Sequence, residues 1–272
     1  MIQDIFPHVL NNRFDPSKRS DENSIILSFN GNDVLINGEV LPLRKDINVD
    51  DGSLVFLFSI DGDKDFFLCR EAISLDGFEY VNVRTLRGRG FTEKYMAFAL
   101  YTGLHLAHWY GNNKYCGKCG KLTRLDDRER ALQCDCGNVI YPRISPAVIV
   151  GVINGDKILV TKYRTGFAHF ALVAGFTEIG ETLEETIARE VMEETGLKVR
   201  NIRYYKSQPW GIVDDLLVGF FCDVDGDDTI KMDEGELKIA EWRTRSDVEL
   251  QPDQFSLTNE MMTVFKEGSL TI

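Results

Sequence analysis

The segment of residues 175–197 constrains this chain most, because it combines a helical pattern with a cluster of acids. Its apolar residues recur every four positions, at Leu183, Ile187 and Val191. This spacing predicts an amphipathic helix, for which Gly196 suits a left-handed C-terminal cap. Three acids stand at positions i, i+3 and i+4, namely Glu190, Glu193 and Glu194. Carboxylates this close repel one another unless a hard divalent cation such as Mg²⁺ binds them together with phosphate oxygens. The pattern favours a metal-binding face over an ordinary solvated helix.

The spacing of the glycine, glutamate and arginine residues in this segment is equally specific. Five residues separate Gly175 from Glu181, and seven separate Glu181 from Arg189. In every defining position the segment resembles the Nudix box, the signature of hydrolases that cleave nucleoside diphosphates linked to another moiety. The resemblance implies catalytic or metal-binding roles for four residues, Arg189, Glu190, Glu193 and Glu194. The metal would be Mg²⁺ or Mn²⁺, and a metal-activated water would attack the pyrophosphate.

The resemblance also implies supporting roles around the helix. Arg189 would orient a carboxylate through a bidentate ion pair, which its planar guanidinium suits. Gly175 would permit a tight backbone turn, and Glu181 would accept amide hydrogen bonds near the start of the helix.

Charge and hydropathy limit the classes of partner. Asp and Glu number 43 against 31 Lys and Arg in 272 residues, which argues against broad electrostatic binding of DNA or RNA. Recognition of one nucleotide or one RNA end stays compatible with this charge. No uninterrupted apolar run approaches the roughly 18 residues that span a bilayer, so we expect a cytoplasmic protein without membrane contact.

Four of the six cysteines form two close pairs, Cys116 with Cys119 and Cys134 with Cys136. In a reducing compartment such a cluster predicts a structural zinc ribbon rather than disulfides. The second pair has one intervening residue instead of the usual two, so a metal-free or partly occupied remnant is the alternative. The other two cysteines, Cys69 and Cys222, are predicted to be small buried hydrophobes.

The order of patterns predicts an α+β chain of three domains. These are a mostly β N-terminal domain with a linking helix (1–112), the zinc ribbon (113–143) and a Nudix domain (144–272), for which the resemblance implies an α/β/α sandwich. Alternating runs and Asn-Gly or Asp-Gly turns predict strands at 25–29, 34–36, 54–60, 66–69, 147–153, 157–163, 171–173, 199–206, 216–224 and 238–242. Helices are predicted at 92–110 and 256–267. His105 and His108, on the first of these helices, are expected to be satisfied by hydrogen bonds rather than to bind metal.

The residues after the box narrow the resemblance to the NADH pyrophosphatases, or NAD⁺ diphosphatases. Ser207–Trp210 matches SQPW, the first half of the SQPW-PFPxS signature of that subfamily, and the domain order also agrees. By this resemblance, Phe176 and Tyr141 would stack on a nucleotide ring, while Gln208 and Trp210 would shape the edge of the pocket. Glu236 would be a further metal-binding or general-base carboxylate.

The second half of that signature is absent, because Gly211–Asp215 replaces PFPxS. The new acids, Asp214 and Asp215, would either contact a ribose hydroxyl or a cationic nicotinamide ring, or lie on a solvated strand end. This segment bears on the substrate rather than on the hydrolytic chemistry.

The sequence therefore predicts hydrolysis of NADH or NAD⁺ to nicotinamide mononucleotide and AMP, extending to the removal of NAD caps from RNA. One alternative is a Nudix hydrolase that prefers ADP-ribose or another dinucleotide; another is a catalytically silent nucleotide sensor or zinc-ribbon binding module. The subfamily resemblance implies a homodimer, but no residue identifies its interface. The number of catalytic metals stays open, as does the general base, for which Glu193, Glu194 and Glu236 are candidates.

Overall fold

The computed structural model describes residues 1–89, 91–166, 168–252 and 254–269. The chain divides into two compact units. The N-terminal unit comprises Gln3–Arg143 and Trp210–Asp214, and the C-terminal unit comprises Met1–Ile2, Ile144–Pro209 and Asp215–Ile272. Residues 113–143 belong to the N-terminal unit, so a separate domain for this segment stays a prediction.

A six-stranded sheet forms the centre of the N-terminal unit. Its strands are β1 (Leu10–Asn11), β2 (Ile25–Asn30), β3 (Asp33–Ile36), β4 (Leu54–Ile60), β5 (Lys64–Cys69) and β6 (Glu79–Asn82), in the order β1-β4-β5-β2-β3-β6. Only β2 and β5 pair in parallel within this order. Cys69 lies in an apolar cluster with Ile26 and Phe67, which confirms it as a buried hydrophobe. Short 3-10 turns occupy Arg44–Asp46 and Asp51–Ser53.

Two helices, α1 (Val83–Arg89) and α2 (Lys94–Asn112), follow this sheet. The close approach of α2 to the sheet depends on Gly103, where a Cβ would lie 2.2 Å from Leu27 Cδ1. Both histidines of α2 have hydrogen-bond partners, as expected. His105 Nε2 lies 2.7 Å from the Arg143 carbonyl oxygen, and His108 lies between Asn32 and Asp214.

The cysteine-containing segment adds a small antiparallel sheet of three strands, β7 (Arg124–Leu125), β8 (Leu132–Gln133) and β9 (Val139–Ile140). Its Arg130 guanidinium donates to the Leu57 carbonyl oxygen at 2.6 Å and lies 5.8 Å from the centre of the Phe14 ring. The ribbon is therefore attached to the six-stranded sheet through the partly buried side chain of Arg130.

A mixed sheet forms the centre of the C-terminal unit. Its strands are β10 (Ser145–Asn154), β11 (Lys157–Tyr163), β12 (Val173–Phe176), β13 (Val199–Trp210), β14 (Asp215–Val224) and β15 (Leu237–Thr244). The order is β13-β14-β10-β11-β15, with β12 also paired to β10. Strand β10 runs parallel to β14 and antiparallel to β11 and β12.

The two remaining helices, α3 (Leu183–Thr195) and α4 (Leu257–Glu267), pack on opposite faces of this sheet. Alternate residues of β14 separate the faces. Val218 and Phe220 join the apolar cluster of Ile187 and Val191 on α3, whereas Gly219 lies against α4, where a Cβ would be 2.8 Å from Met261 Sδ. This layering confirms the predicted α+β class and the α/β/α sandwich. None of the helices in the described ranges is long and apolar enough to cross a membrane.

Candidate active site

Helix α3 presents the acids, and its ends are defined by local sequence. Thr182 caps the N-terminus by accepting from the Glu185 amide at 3.2 Å, and the Glu185 carboxylate accepts from the Thr182 amide at 2.8 Å. Gly196 ends the helix with φ +71°, and its amide donates to Met192. Ile187 and Val191 are fully buried, which confirms the apolar stripe.

The three acids of α3 do not share one environment. Glu194 is 1% exposed and the Glu190 side chain 14%, whereas the Glu193 side chain is 60% exposed. Glu194 Oε1 accepts from the Tyr163 hydroxyl at 3.5 Å, while Glu194 Oε2 has no hydrogen-bond partner among the described residues. A buried carboxylate oxygen without a partner is costly, so this atom is available to a ligand.

Gly175 has a different physical role from the one expected. It lies in β12 and is absent from the residues with positive φ, so the predicted tight turn is wrong. Glycine is needed there because the Glu190 carboxylate lies against its backbone: a Cβ would be 2.0 Å from Glu190 Cδ. The bare backbone of Gly175 is thus the surface on which Glu190 rests.

Arg189 links the acids to the loop before α3. Its Nε and Nη2 donate to Glu181 at 2.6 and 2.9 Å, which forms the bidentate ion pair, and Nη2 also donates to the Phe176 carbonyl oxygen at 2.9 Å. Its Nη1 donates to Glu190 at 2.7 Å and to Glu193 at 3.1 Å. The guanidinium lowers the pKa of Glu181 to about 2, and the amide of Glu178 adds a further hydrogen bond.

A fourth acid, Glu236, lies on the loop before β15 and acts electrostatically on this cluster. Burial, and then the charges of Glu236 and Glu190, raise the pKa of Glu194 to about 8. Burial also raises the pKa of Glu190. Without a cation, therefore, the site resists the presence of several ionised carboxylates at neutral pH.

A hard divalent cation suits this set of residues. The acids supply oxygen ligands, Glu194 keeps an oxygen without a partner, and the like charges need neutralisation. Without a metal, Arg189 holds Glu190 and Glu193, and the glutamates do not form a close group of ligand atoms like that of the cysteines among the described residues.

The four cysteines form such a group. The Sγ atoms of Cys116, Cys119, Cys134 and Cys136 all lie within 4.8 Å of one another. The separations of Cys116 from Cys136 (3.7 Å) and of Cys119 from Cys134 (3.4 Å) are close to the roughly 3.8 Å expected for tetrahedral zinc with Zn–S bonds of about 2.3 Å. The shortened second pair is accommodated by a turn in which the Gly137 amide donates to the Cys134 carbonyl at 2.9 Å, with Gly137 at φ +84°.

Two aromatic residues expected to bind substrate have exposed rings. Phe176 is 53% exposed and follows Gly175 directly, and its carbonyl oxygen is fixed by Arg189. Tyr141, in the N-terminal unit, is 55% exposed and donates its hydroxyl to Glu129 at 3.1 Å. Both rings are accessible for stacking.

Gln208 and Trp210 are buried instead. The Gln208 amide nitrogen donates to the Phe255 carbonyl and its oxygen accepts from the Leu257 amide, each at 2.7 Å. These bonds fix the backbone at the start of α4. Trp210 is 9% exposed and packs edge-on against Tyr101 at 5.8 Å, with the Arg87 guanidinium 4.9 Å from its ring centre. Both residues therefore support the backbone and the packing around the SQPW segment.

Residues Gly211 to Asp214 of the segment that replaces PFPxS belong to the N-terminal unit. A Cβ at Gly211 would lie 2.0 Å from the Tyr101 carbonyl oxygen, so a larger residue would displace this turn. Asp214, at φ +63°, places Oδ1 3.0 Å from His108 Nδ1. The alternative of a solvated strand end is wrong for Asp215, which is 5% exposed.

Comparison with known families agrees with this geometry. Residues 143–262 match the model of the NUDIX domain. Residues 143–262 are therefore a NUDIX domain, and the resemblance drawn from the acidic helix is confirmed for this part of the chain.

Several curated proteins that are similar to this chain share one name. The chain is 37% identical over 169 residues to the NAD-capped RNA hydrolase NudC of Haemophilus influenzae strain PittEE, covering 60% of this chain and 62% of that protein. It is 42% identical over 154 residues to the protein of that name from Enterobacter sp. strain 638, covering 55% and 58%. The match to the Escherichia coli O9:H4 strain HS protein is also 42% over 154 residues, covering 55% and 59%. The chain thus spans about six tenths of the length of these relatives.

Proposed function

We propose that this chain is a metal-dependent diphosphatase that hydrolyses NADH or NAD⁺ to nicotinamide mononucleotide and AMP. The observation that carries the proposal is Glu194, a buried acid with an oxygen lacking a partner, beside Glu190 and within the field of Glu236. The name shared by the similar proteins supports NAD-capped RNA ends as a second substrate of the same reaction.

Each side chain has a distinct part in this proposal. Glu190, Glu193, Glu194 and Glu236 would hold Mg²⁺ or Mn²⁺. Bound there, the cation would neutralise charge on the pyrophosphate and activate a water. Arg189 orients Glu190 and Glu193 through Nη1, and its bond to Phe176 fixes the backbone that bears the exposed ring. By the subfamily resemblance, Phe176 and Tyr141 would each stack on a nucleotide ring, and Gln208 and Trp210 would support the backbone of the SQPW segment.

The cysteine cluster is assigned a structural role. Four thiolates around Zn²⁺ leave no open position for a substrate, so the metal would stabilise the ribbon rather than take part in hydrolysis. We also propose a cytoplasmic homodimer, on the basis of the subfamily resemblance.

The segment Gly211–Asp215 favours one rival, a Nudix hydrolase that prefers ADP-ribose or another dinucleotide. Its Gly211 and Asp214 are engaged with Tyr101 and His108, so the surface that PFPxS would provide is replaced. A silent nucleotide-binding module is disfavoured because every acid of the box is present.

Initial rates of hydrolysis with Mg²⁺ distinguish between these candidate functions. NADH, NAD⁺, ADP-ribose and a diadenosine polyphosphate should be compared at equal concentration, alongside an RNA with a 5′ NAD cap. We expect the highest kcat/KM for NADH or NAD⁺. Faster cleavage of ADP-ribose would establish the rival, and no cleavage of any substrate would establish the silent module.

A further inference from the structure

Two adjacent residues at the end of β11 contact different parts of the acidic site. The Tyr163 hydroxyl lies 3.5 Å from both Glu194 Oε1 and the Ala174 carbonyl oxygen, and its one hydrogen can be donated to either. The Arg164 amide donates to the Glu236 carbonyl oxygen at 3.0 Å, and its Nε donates to the carbonyl oxygen of Glu234. One short stretch of backbone therefore reaches both the acid of α3 and the loop that carries Glu236.

The loop from Lys231 to Glu236 is held mainly by hydrogen bonds. Residues 233–236 are all exposed, so apolar packing contributes little to their placement. The Asp233 amide donates to the Glu194 carbonyl oxygen at 2.9 Å, and the Lys231 amide donates to the Thr195 carbonyl oxygen at 2.8 Å. These bonds fix the near end of the loop to the C-terminal end of α3. The part that bears Glu236 is held by the Asp233 carbonyl oxygen, which accepts from the Glu236 amide at 3.3 Å and the Leu237 amide at 2.9 Å, and by the two bonds from Arg164.

The sheet register shows why Tyr163 and Arg164 reach these partners. Strand β11 pairs regularly with β15 up to Lys162, and a bulge then shifts the register so that Tyr163 pairs with Leu237. A bulge re-aims the side chains that follow it. Here it directs the Tyr163 hydroxyl toward Glu194 and leaves Arg164 beside the loop.

We propose that Tyr163 and Arg164 are positioning residues that fix Glu194 and Glu236 relative to each other and thereby set the affinity of the site for a divalent cation. This inference rests on the proposed function in taking both acids as metal ligands. Ionised carboxylates on separate elements repel one another, and an exposed loop yields to that repulsion unless hydrogen bonds hold it. Outer partners of metal ligands typically contribute about 10-fold or more to affinity, because they fix the ligand before the metal arrives.

The test is a titration of the full chain with Mn²⁺ in the absence of substrate, in which electron paramagnetic resonance measures the concentration of the free ion. Arg164→Met keeps the backbone bond to Glu236 and removes the side-chain bond to the Glu234 carbonyl oxygen, so it should raise the Kd severalfold, up to about 10-fold. Tyr163→Phe should also raise it severalfold. Arg164→Lys should recover part of the loss, because an ammonium can still donate to the Glu234 carbonyl oxygen. Arg200→Met is the matched control: Arg200 is an exposed arginine of the same unit, and its ion-pair partner at 3.6 Å is Asp225, which is not one of the acids of the site.

Thermal unfolding of the metal-free variants distinguishes a loss of metal affinity from a loss of folding stability. The side chain of Arg164 is exposed, so Arg164→Met should unfold at the same temperature as Arg200→Met while binding Mn²⁺ more weakly. Wild-type affinity in both Arg164→Met and Tyr163→Phe would overturn the inference and leave the proposed function intact. A wild-type chain that binds no Mn²⁺ sensitive to Glu194→Gln would instead overturn the proposed function.

Discussion

Replacement of Glu194 by glutamine removes a buried charge and keeps the shape of the side chain. In the metal-free protein, Glu194 is 1% exposed and burial raises its pKa to about 8, from an ordinary value of 4.5. The folded state therefore binds a proton more tightly than the unfolded state. The unfavourable contribution of Glu194 to stability is small below its unfolded pKa and grows as the pH rises toward its folded pKa.

The magnitude follows from this shift in pKa. Each pKa unit corresponds to about 1.4 kcal/mol, so the difference in unfolding free energy between the variant and the wild type should grow by about 3 kcal/mol from pH 5 to pH 8. Glutamine leaves a polar group at the same buried position. Its own cost does not depend on pH and cancels from this comparison.

The assay is urea unfolding of both proteins in EDTA across that pH range. Glu193→Gln is the control, because it makes the same substitution at an acid of the same helix whose side chain is 60% exposed. Added Mg²⁺ should remove the loss of stability at high pH in the wild type, since the cation favours the ionised acid. Glu194→Gln should not respond in this way.

A difference between Glu194→Gln and the wild type that stays constant from acid to neutral pH would refute the reasoning. It would mean that Glu194 is ionised at neutral pH without a cation. The absence of a hydrogen-bond partner for Glu194 Oε2 among the described residues would then not raise the free energy of the metal-free protein.

Three further outcomes are expected. Gly175→Ala should lower kcat about 100-fold without loss of secondary structure by circular dichroism, because its Cβ displaces the Glu190 carboxylate; turnover equal to wild type would contradict the close contact. Glu181→Gln should reduce the fall in unfolding free energy between neutral and acid pH. The pKa of Glu181 lies at about 2, so its ion pair with Arg189 stabilises the fold above the unfolded pKa near 4.5, and this stabilisation is lost as the pH falls toward 2. Unfolding curves of this variant that run parallel to wild type from neutral to acid pH would exclude that role. Elemental analysis of protein purified without added metal should find about one zinc per chain, and Cys134→Ser should lose it; zinc-free wild-type protein with readily titrated thiols would establish the remnant alternative.

Local signals predicted most of the Nudix portion of the fold. Strand β11 has the predicted bounds of 157–163, because the Asn154-Gly155 turn and an apolar run define both ends. The acid cluster was also readable, since helical spacing places Glu190 and Glu194 one turn apart. In contrast, β13 extends to Trp210, four residues beyond the prediction, because polar residues and Pro209 mask its end. Helix α1 was missed, since its seven residues are too few for a clear periodic signal.

The supporting residues of the site could not be predicted, because their roles arise from contacts between distant elements. Tyr163 meets Glu194 only through the order of strands and the bulge in β11. Glycine at 175 suits a turn as well as a close approach, and the structure alone distinguishes the two. For the same reason Gln208 looked like a substrate contact, although both ends of its amide bind backbone.

Hydrolysis of NADH in ¹⁸O-labelled water tests the central claim most directly. With Mg²⁺, mass spectrometry of the wild-type reaction should find reduced nicotinamide mononucleotide and AMP, with one labelled oxygen incorporated into a phosphate, and Glu194→Gln should give neither product. Release of nicotinamide with an intact diphosphate, or equal turnover by Glu194→Gln, would contradict a pyrophosphate hydrolase built on this acidic helix.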